Sequence, residues 1–167
     1  IRDVKASGSS PHGEHQWAMV IDQSKCTGCG YCTLACQAHN DVDPQNEWNV
    51  ITEVDEIGGQ KVFLHRPCMQ CAKAPCVEVC PVGASYYRDD GIVMMDYDKC
   101  IGCGYCVKGC PFNIPRISQA DHKAYKCTLC SDRVSVGQAP ACAKACPTGA
   151  IMFGTKQAML DHAQGRI

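Results

Sequence analysis

The chain has 167 residues, enough for one compact domain or two small ones. Its 16 Lys and Arg stand against 17 Asp and Glu, and the formal net charge of −1 excludes the strong basic field that a nucleic-acid partner would call for. Sixteen cysteines leave three classes open, a disulfide scaffold, a zinc protein or an iron–sulfur protein.

Residues 1–15, IRDVKASGSSPHGEH, are polar and read as an extended arm, with His12 and His15 solvated. QWAMVID, residues 16–22, alternates as an edge strand does and leads into the first cysteine group. A short helix containing His39 is expected after that group. Residues 47–66, EWNVITEVDEIGGQKVFLHR, read as two strands about the turn Gly58–Gly59. Further on, SYY, the turn RDDG and IVMMDY form a second hairpin. Thr155 is placed to cap a terminal helix, KQAMLDHAQGRI, with Ala158, Met159 and Ala163 near one face. His39 and His65 read as surface or packing residues, and Trp17 and Trp48 as core or interface aromatics. No run of about 18 apolar residues is present, so no bilayer-spanning helix is expected within this sequence. It shows no signal-peptide pattern.

The cysteines fall into four groups: Cys26, Cys29, Cys32, Cys36; Cys68, Cys71, Cys76, Cys80; Cys100, Cys103, Cys106, Cys110; and Cys127, Cys130, Cys142, Cys146. Groups one and three share the spacing C-x2-C-x2-C-x3-C, group two widens one gap to hold Lys73, Ala74 and Pro75, and group four opens a long loop before Cys142. A C-x2-C-x2-C loop aims three thiolates at one iron–sulfur cube, and the fourth cysteine reaches the other cluster of a pair. Disulfide scaffolds have no reason to repeat this core. Zinc knuckles use paired C-x2-C and have no place for a third thiol at the same interval. Gly28, Gly30, Gly102 and Gly104 leave room for backbone N–H groups near the sulfurs. Pro81, Pro111 and Pro147 end three of the groups, whereas Gln37 follows the first.

The hairpin linker between groups two and three suits a two-cluster ferredoxin, which pairs those groups and leaves one and four to pair with each other. Crossing the fourth cysteines then gives cluster A (Cys26, Cys29, Cys32, Cys146), cluster B (Cys36, Cys127, Cys130, Cys142), cluster C (Cys68, Cys71, Cys76, Cys110) and cluster D (Cys80, Cys100, Cys103, Cys106). The alternative, one with two and three with four, fits less well, because the linker between Cys36 and Cys68 carries strands of its own. The expected fold is α+β: two ferredoxin-like 2[4Fe–4S] modules with short helices and small antiparallel sheets. Residues 16–66 plus 117–160 hold A and B, residues 67–116 hold C and D, and 155–167 form a C-terminal helix. Lys25, Lys99 and Lys126 each precede the first cysteine of a group. They are either solvated or compensate the negative charge of a cluster.

There is no Gly-rich phosphate loop, no Ser–His–Asp set and no spare thiol, so no catalytic residue is expected. Four one-electron centres make a wire, and a wire implies a partner at each end.

The four-group order, most specifically CIGCGYCVKGCPFNIPR and YKCTLCSDRVSVGQAPACAKACPTGAIMFGTK, resembles the iron–sulfur β subunits of molybdenum and tungsten bis-pterin oxidoreductases, formate dehydrogenase above all. That resemblance implies the same nested pairing and an order A–B–C–D, with A nearest a catalytic molybdenum- or tungsten-pterin subunit. It further implies a quinone-linked membrane subunit, a cytochrome or a soluble acceptor beyond D. Some relatives replace a group-three cysteine by Trp and hold a three-iron cluster; here all four are present. Respiratory members carry a membrane helix beyond this region, so the chain is either of a shorter type or one piece of such a protein. The expected place is peripheral to the membrane, on its extracytoplasmic side, with the cytoplasm as alternative. The rival readings are the same subunit in a polysulfide, thiosulfate, tetrathionate or S-oxide reductase, and a free multi-cluster ferredoxin.

Overall fold

The structure, a computed structural model, describes residues 16–57 and 59–166. The arm 1–15 with His12 and His15, Gly58 of the expected turn, and Ile167 lie outside the described residues.

Among the described residues, eight short strands pair antiparallel into four two-stranded sheets. Strand β1 (Trp17–Ile21) pairs with β8 (Ile151–Thr155), Trp17 opposite Thr155 and Ile21 opposite Ile151, so the first strand is closed by the last. Strands β2 (Val50–Ile57) and β3 (Gln60–Arg66) form a hairpin whose register shifts between Val54 and Ile57. The pairs β4 (Ser85–Tyr87) with β5 (Val93–Met95) and β6 (Arg116–Ile117) with β7 (Ala124–Tyr125) are shorter still. Among the described residues there are also six α-helices: α1 (Tyr31–Asn40), α2 (Pro75–Glu78), α3 (Tyr105–Gly109), α4 (Ser131–Ser135), α5 (Ala141–Ala145) and α6 (Lys156–Gln164). This is the α+β arrangement of short helices and small antiparallel sheets that the sequence predicts.

The helices are short because cysteine loops set where they start. Gly30 and Gly104 occupy the left-handed region, at φ 79° and 75°, and open α1 and α3. Pro75 stands at the first turn of α2, where its missing N–H costs nothing. The Thr155 hydroxyl accepts a hydrogen bond from the N–H of Ala158 at 3.4 Å and caps α6.

Helix α1 packs on α5 and helix α2 on α3, which brings group one to group four and group two to group three. One core gathers Ala74, Ala84, Val93 and Met95 around Cys76 and Cys106, and Ala124 of β7 packs into it. Another gathers Ile92, Leu129 and Val134 against Trp17, Met19, Met94 and Phe153. The RDDG turn ties these parts together. Asp90 accepts from Trp17 Nε1 at 3.1 Å, and Arg88 donates to Asp90 at 3.0 Å and to the Ser131 carbonyl at 3.2 Å.

Candidate metal centres

All sixteen cysteines are free thiols. Three four-cysteine sets each line one cavity: Cys26, Cys29, Cys32 and Cys146; Cys36, Cys127, Cys130 and Cys142; and Cys68, Cys71, Cys76 and Cys110. The three are alike, each walled by four thiols and mostly apolar side chains, which suits one kind of occupant. The remaining thiols also lie near one another. Cys100, Cys103 and Cys106 interact electrostatically, and Cys80 packs against the same core as Cys100 and Cys106.

Tetrahedral zinc would draw four sulfurs to about 3.8 Å from one another. Among the described residues no three His, Cys, Asp or Glu side chains converge in this way on one ion. The thiols ring a void instead, as a polynuclear cluster requires.

Burial pushes the Cys36 thiol up to about 12, and Cys127 and Cys130 add to the effect. Burial pushes Cys127 and Cys106 up to about 11, with Cys68 and Cys100 respectively the first neighbours to reinforce it. Cys142 is raised further in the same direction, by burial and then by Cys127, Cys130 and Cys36. Buried thiols that repel one another's charge cannot all ionise in an empty site. Multivalent iron would supply the missing cations. Cys80 and Cys146 differ. Burial raises each of them, but hydrogen bonds outweigh it: main-chain N–H groups of residues 82–85 for Cys80, and Thr148 with the N–H groups of Ile151 and Ala150 for Cys146. Both are net lowered, whereas Cys36, the last thiol of group one, is raised.

Donors already aim at several sulfurs. The N–H of Leu129 lies 3.4 Å from Cys127 Sγ, that of Ala141 3.5 Å from Cys130 Sγ, and that of Ala124 3.4 Å from Cys100 Sγ. Asn40 Nδ2 bridges Cys36 Sγ at 3.6 Å and Cys130 Sγ at 3.7 Å. Buried polar atoms without partners also mark the cavity walls. Among the described residues, His65 lines the first cavity with both ring nitrogens unpaired, and Trp48 Nε1 and the Asn49 amide do so in the second. Such groups are rare in finished interiors, and sulfur acceptors would complete their N–H donors. The donor set therefore fits [4Fe–4S] groups.

The sets adjoin in a line. Cys32 interacts with Cys36 along α1, Cys127 with Cys68, and Cys106 with Cys76. Only Cys29, in the first set, and Cys103, in the last, are exposed thiols. Tyr31 and Leu34 stand exposed near Cys29, and Ile101 and Tyr105 near Cys103.

The three lysines part company. Lys25 pairs with Asp22 at 3.8 Å and Lys99 with Asp96 at 2.9 Å, both lysines exposed. Lys126 has no exposed surface. It lines the third cavity and donates to the carbonyl oxygens of Val93 and, at 3.2 Å, Cys127.

His39 lies near the surface, its Nε2 2.8 Å from Asp132 of α4, as a packing role predicts. His65 is different: it is 4% exposed, and burial pulls it down to about 4. Asn40 and His65 are the site residues that sequence reading missed. Asn40 had a signal, four residues after Cys36 on a helix and hence on its face. His65 had only its nearness to Cys68.

Residues 60–156 match the model of a 4Fe-4S dicluster domain, and residues 17–38 that of a 4Fe-4S binding domain. The chain is 42% identical over its full length to the formate dehydrogenase, nitrate-inducible, iron–sulfur subunit of Escherichia coli K12, of which it covers 60%. It is 43% identical to the formate dehydrogenase iron–sulfur subunit of Haemophilus influenzae, across 90% of this chain and 55% of that one. It is 40% identical to the thiosulfate reductase electron transfer subunit PhsB of Salmonella typhi, across 86% of this chain and 78% of that one. The chain thus spans about three-fifths of the length of the formate dehydrogenase relatives it matches.

Proposed function

This chain belongs to the 4Fe-4S dicluster domain family, and from that membership we propose that it is the electron-transfer subunit of a formate dehydrogenase, carrying four [4Fe–4S] clusters in the order A–B–C–D. The observation that carries the reading is the line of four thiol sets, with exposed thiols only at its two ends, Cys29 and Cys103. Cluster A would be held by Cys26, Cys29, Cys32 and Cys146, and cluster B by Cys36, Cys127, Cys130 and Cys142. Cluster C would be held by Cys68, Cys71, Cys76 and Cys110, and cluster D by Cys80, Cys100, Cys103 and Cys106. A bound [4Fe–4S] group supplies reversible one-electron chemistry with no substrate bond made or broken.

The protein's own residues do the rest. The thiolates fix each group at a defined place. The surrounding apolar side chains keep water from the middle of the array. Asn40 and the N–H groups of Leu129, Ala141 and Ala124 offset negative charge on sulfur. Lys126 brings a buried ammonium between the Cys127 and Cys76 sets, whereas the charges of Lys25 and Lys99 are balanced by Asp22 and Asp96.

Two docking faces follow on this reading, one around Cys29, Tyr31 and Leu34 and one around Ile101, Cys103 and Tyr105. The first meets a catalytic subunit holding a metal–pterin site, and the second meets a quinone-linked membrane subunit or a cytochrome. Among the described residues no helix is long and apolar enough to cross a membrane. The proposed location is peripheral, on the extracytoplasmic side, and protease access in spheroplasts tests that side.

The functional test is dye-linked formate oxidation by the native complex isolated through this chain. Activity supports the reading. Silence in a complex with about sixteen iron atoms per chain moves the assignment to a reductase. Thiosulfate is then the first acceptor to try, because that relative matches over most of both chains.

A further inference from the structure

His65 sits on β3 and is 4% exposed, and among the described residues neither of its ring nitrogens has a hydrogen-bond partner. It lines the cavity of Cys26, Cys29, Cys32 and Cys146, whose other walls include Ile21, Ile51 and Ile151. A neutral imidazole carries one N–H donor and one lone pair, and burying such a group unpaired is costly. The nearby Thr148 hydroxyl is already engaged with Cys146 Sγ at 3.6 Å. The strand holds the ring against the cavity, and four thiols leave no iron corner for it to ligate. The acceptors that this cavity lacks are the ones an iron–sulfur cluster would bring.

We propose that His65 donates its ring N–H to a sulfur of the cluster held by Cys26, Cys29, Cys32 and Cys146, and so raises the reduction potential of that one centre. The proposal rests on the functional reading above, in that the cavity holds a cluster. An N–H directed at sulfur withdraws negative charge and favours the reduced state. His65 is thus a positioning and tuning residue, not a ligand. The second cavity has its amide donor in Asn40 and the third its ammonium in Lys126, so each of three neighbouring centres would be tuned by a different nitrogen group.

The test uses the native complex from cells fed 15N-labelled histidine. Pulsed electron paramagnetic resonance of the reduced protein is expected to show one centre coupled to a histidine nitrogen. In His65→Leu that coupling should vanish. At a fixed potential the reduced-to-oxidised ratio of the same centre should fall about tenfold, with the other three centres shifted less than about twofold. His65→Gln, which keeps an N–H donor, should recover part of the loss. Wild-type protein with full iron and no histidine coupling in any centre overturns the proposal, whether or not the variants load. An unshifted potential in loaded His65→Leu overturns it too. Failure of the underlying reading looks different: the wild type itself would be short by one cluster, and Cys29→Ser would remove no signal.

Discussion

Lys126, with no exposed surface, donates from its ammonium nitrogen to the main-chain carbonyl oxygen of Val93 in the middle of the adjoining hairpin. A second bond, 3.2 Å to the Cys127 carbonyl, holds the charge between two thiol sets. Lys126→Met is expected to make the centres of the Cys127 and Cys76 sets harder to reduce. The change should be roughly tenfold in the reduced-to-oxidised ratio, or about 1.4 kcal/mol. Lys25→Met and Lys99→Met remove charges that surface carboxylates already balance and should leave all centres nearly unmoved. A potentiometric titration followed by electron paramagnetic resonance compares the three. Equal shifts in all three variants would refute the distinction.

Asn40 Nδ2, with two N–H donors, lies within reach of three acceptors, Cys36 Sγ, Cys130 Sγ and, at 3.0 Å, the Cys36 carbonyl. Asn40→Leu should lower the potential of the centre at Cys36 and Cys130 and cost about 1 kcal/mol of stability. The same titration, with a thermal melt of the loaded protein, reads both effects. Loss of stability alone, at an unchanged potential, would reduce Asn40 to a helix-end contact.

Group pairing can be read from single thiols. Cys146→Ala and Cys29→Ala are expected to perturb the same paramagnetic centre and to leave the one disturbed by Cys127→Ala intact. The physical reason is that Cys146 lies on the cavity of Cys26, Cys29 and Cys32, although it follows Cys142 in sequence. If Cys146→Ala and Cys142→Ala removed one and the same signal, the crossed arrangement would fail.

Two glycines in one motif should respond differently. A Cβ on Gly102, at φ 67°, would overlap the carbonyl oxygen of His122, whereas one on Gly104, at φ 75°, meets open space. Gly104→Ala should cost about 1 kcal/mol, the strain of a left-handed residue. Gly102→Ala adds a main-chain collision that no rotamer relieves, and should cost several times more and lower cluster occupancy. Iron content and melting temperature of the two variants decide the comparison.

Acid should find His65. Burial pulls this ring from 6.5 down to about 4, so the unfolded chain binds its proton at a higher pH than the folded one. Between pH 6.5 and about 4 the unfolded state carries the extra proton, and stability falls as pH falls through that window. Melting temperatures of the complex across this range should show a slope that His65→Leu flattens. Equal slopes would mean that other groups control acid sensitivity.

Much of this was legible because cysteine spacing is a geometric code. The three-residue intervals of CIGCGYC and CTGCGYC require a tight loop, and Gly30 and Gly104 are where those loops hand over to helices. The SYY and IVMMDY strands pair as their alternation predicts, Ser85 opposite Met95. Long-range placement was less legible. Lys25, Lys99 and Lys126 occupy the same position before a cysteine, yet Lys126 alone is buried, because β5 closes over it from the neighbouring hairpin. His65 looks like any polar residue near a strand end. Only the fold of β3 against the first cysteine loop turns it toward the thiols. Ala124 fills a core with Ala74 and Ala84, far from it in sequence. Local spacing encodes what each loop can hold, while tertiary contacts decide which side chains face it.

The pairing of β1 with β8 and the shared cavity of Cys26 and Cys146 have a consequence in time. A ribosome releases the chain from its first residue onward. On the proposed ligand sets, groups two and three are complete as soon as Cys110 has emerged, whereas Cys26, Cys29 and Cys32 must wait for Cys146, made long afterwards. During that wait three thiols stand open to oxygen and to stray copper or zinc. On the proposed ligand sets, clusters C and D can be filled while synthesis continues, and A and B only once β8 has closed on β1.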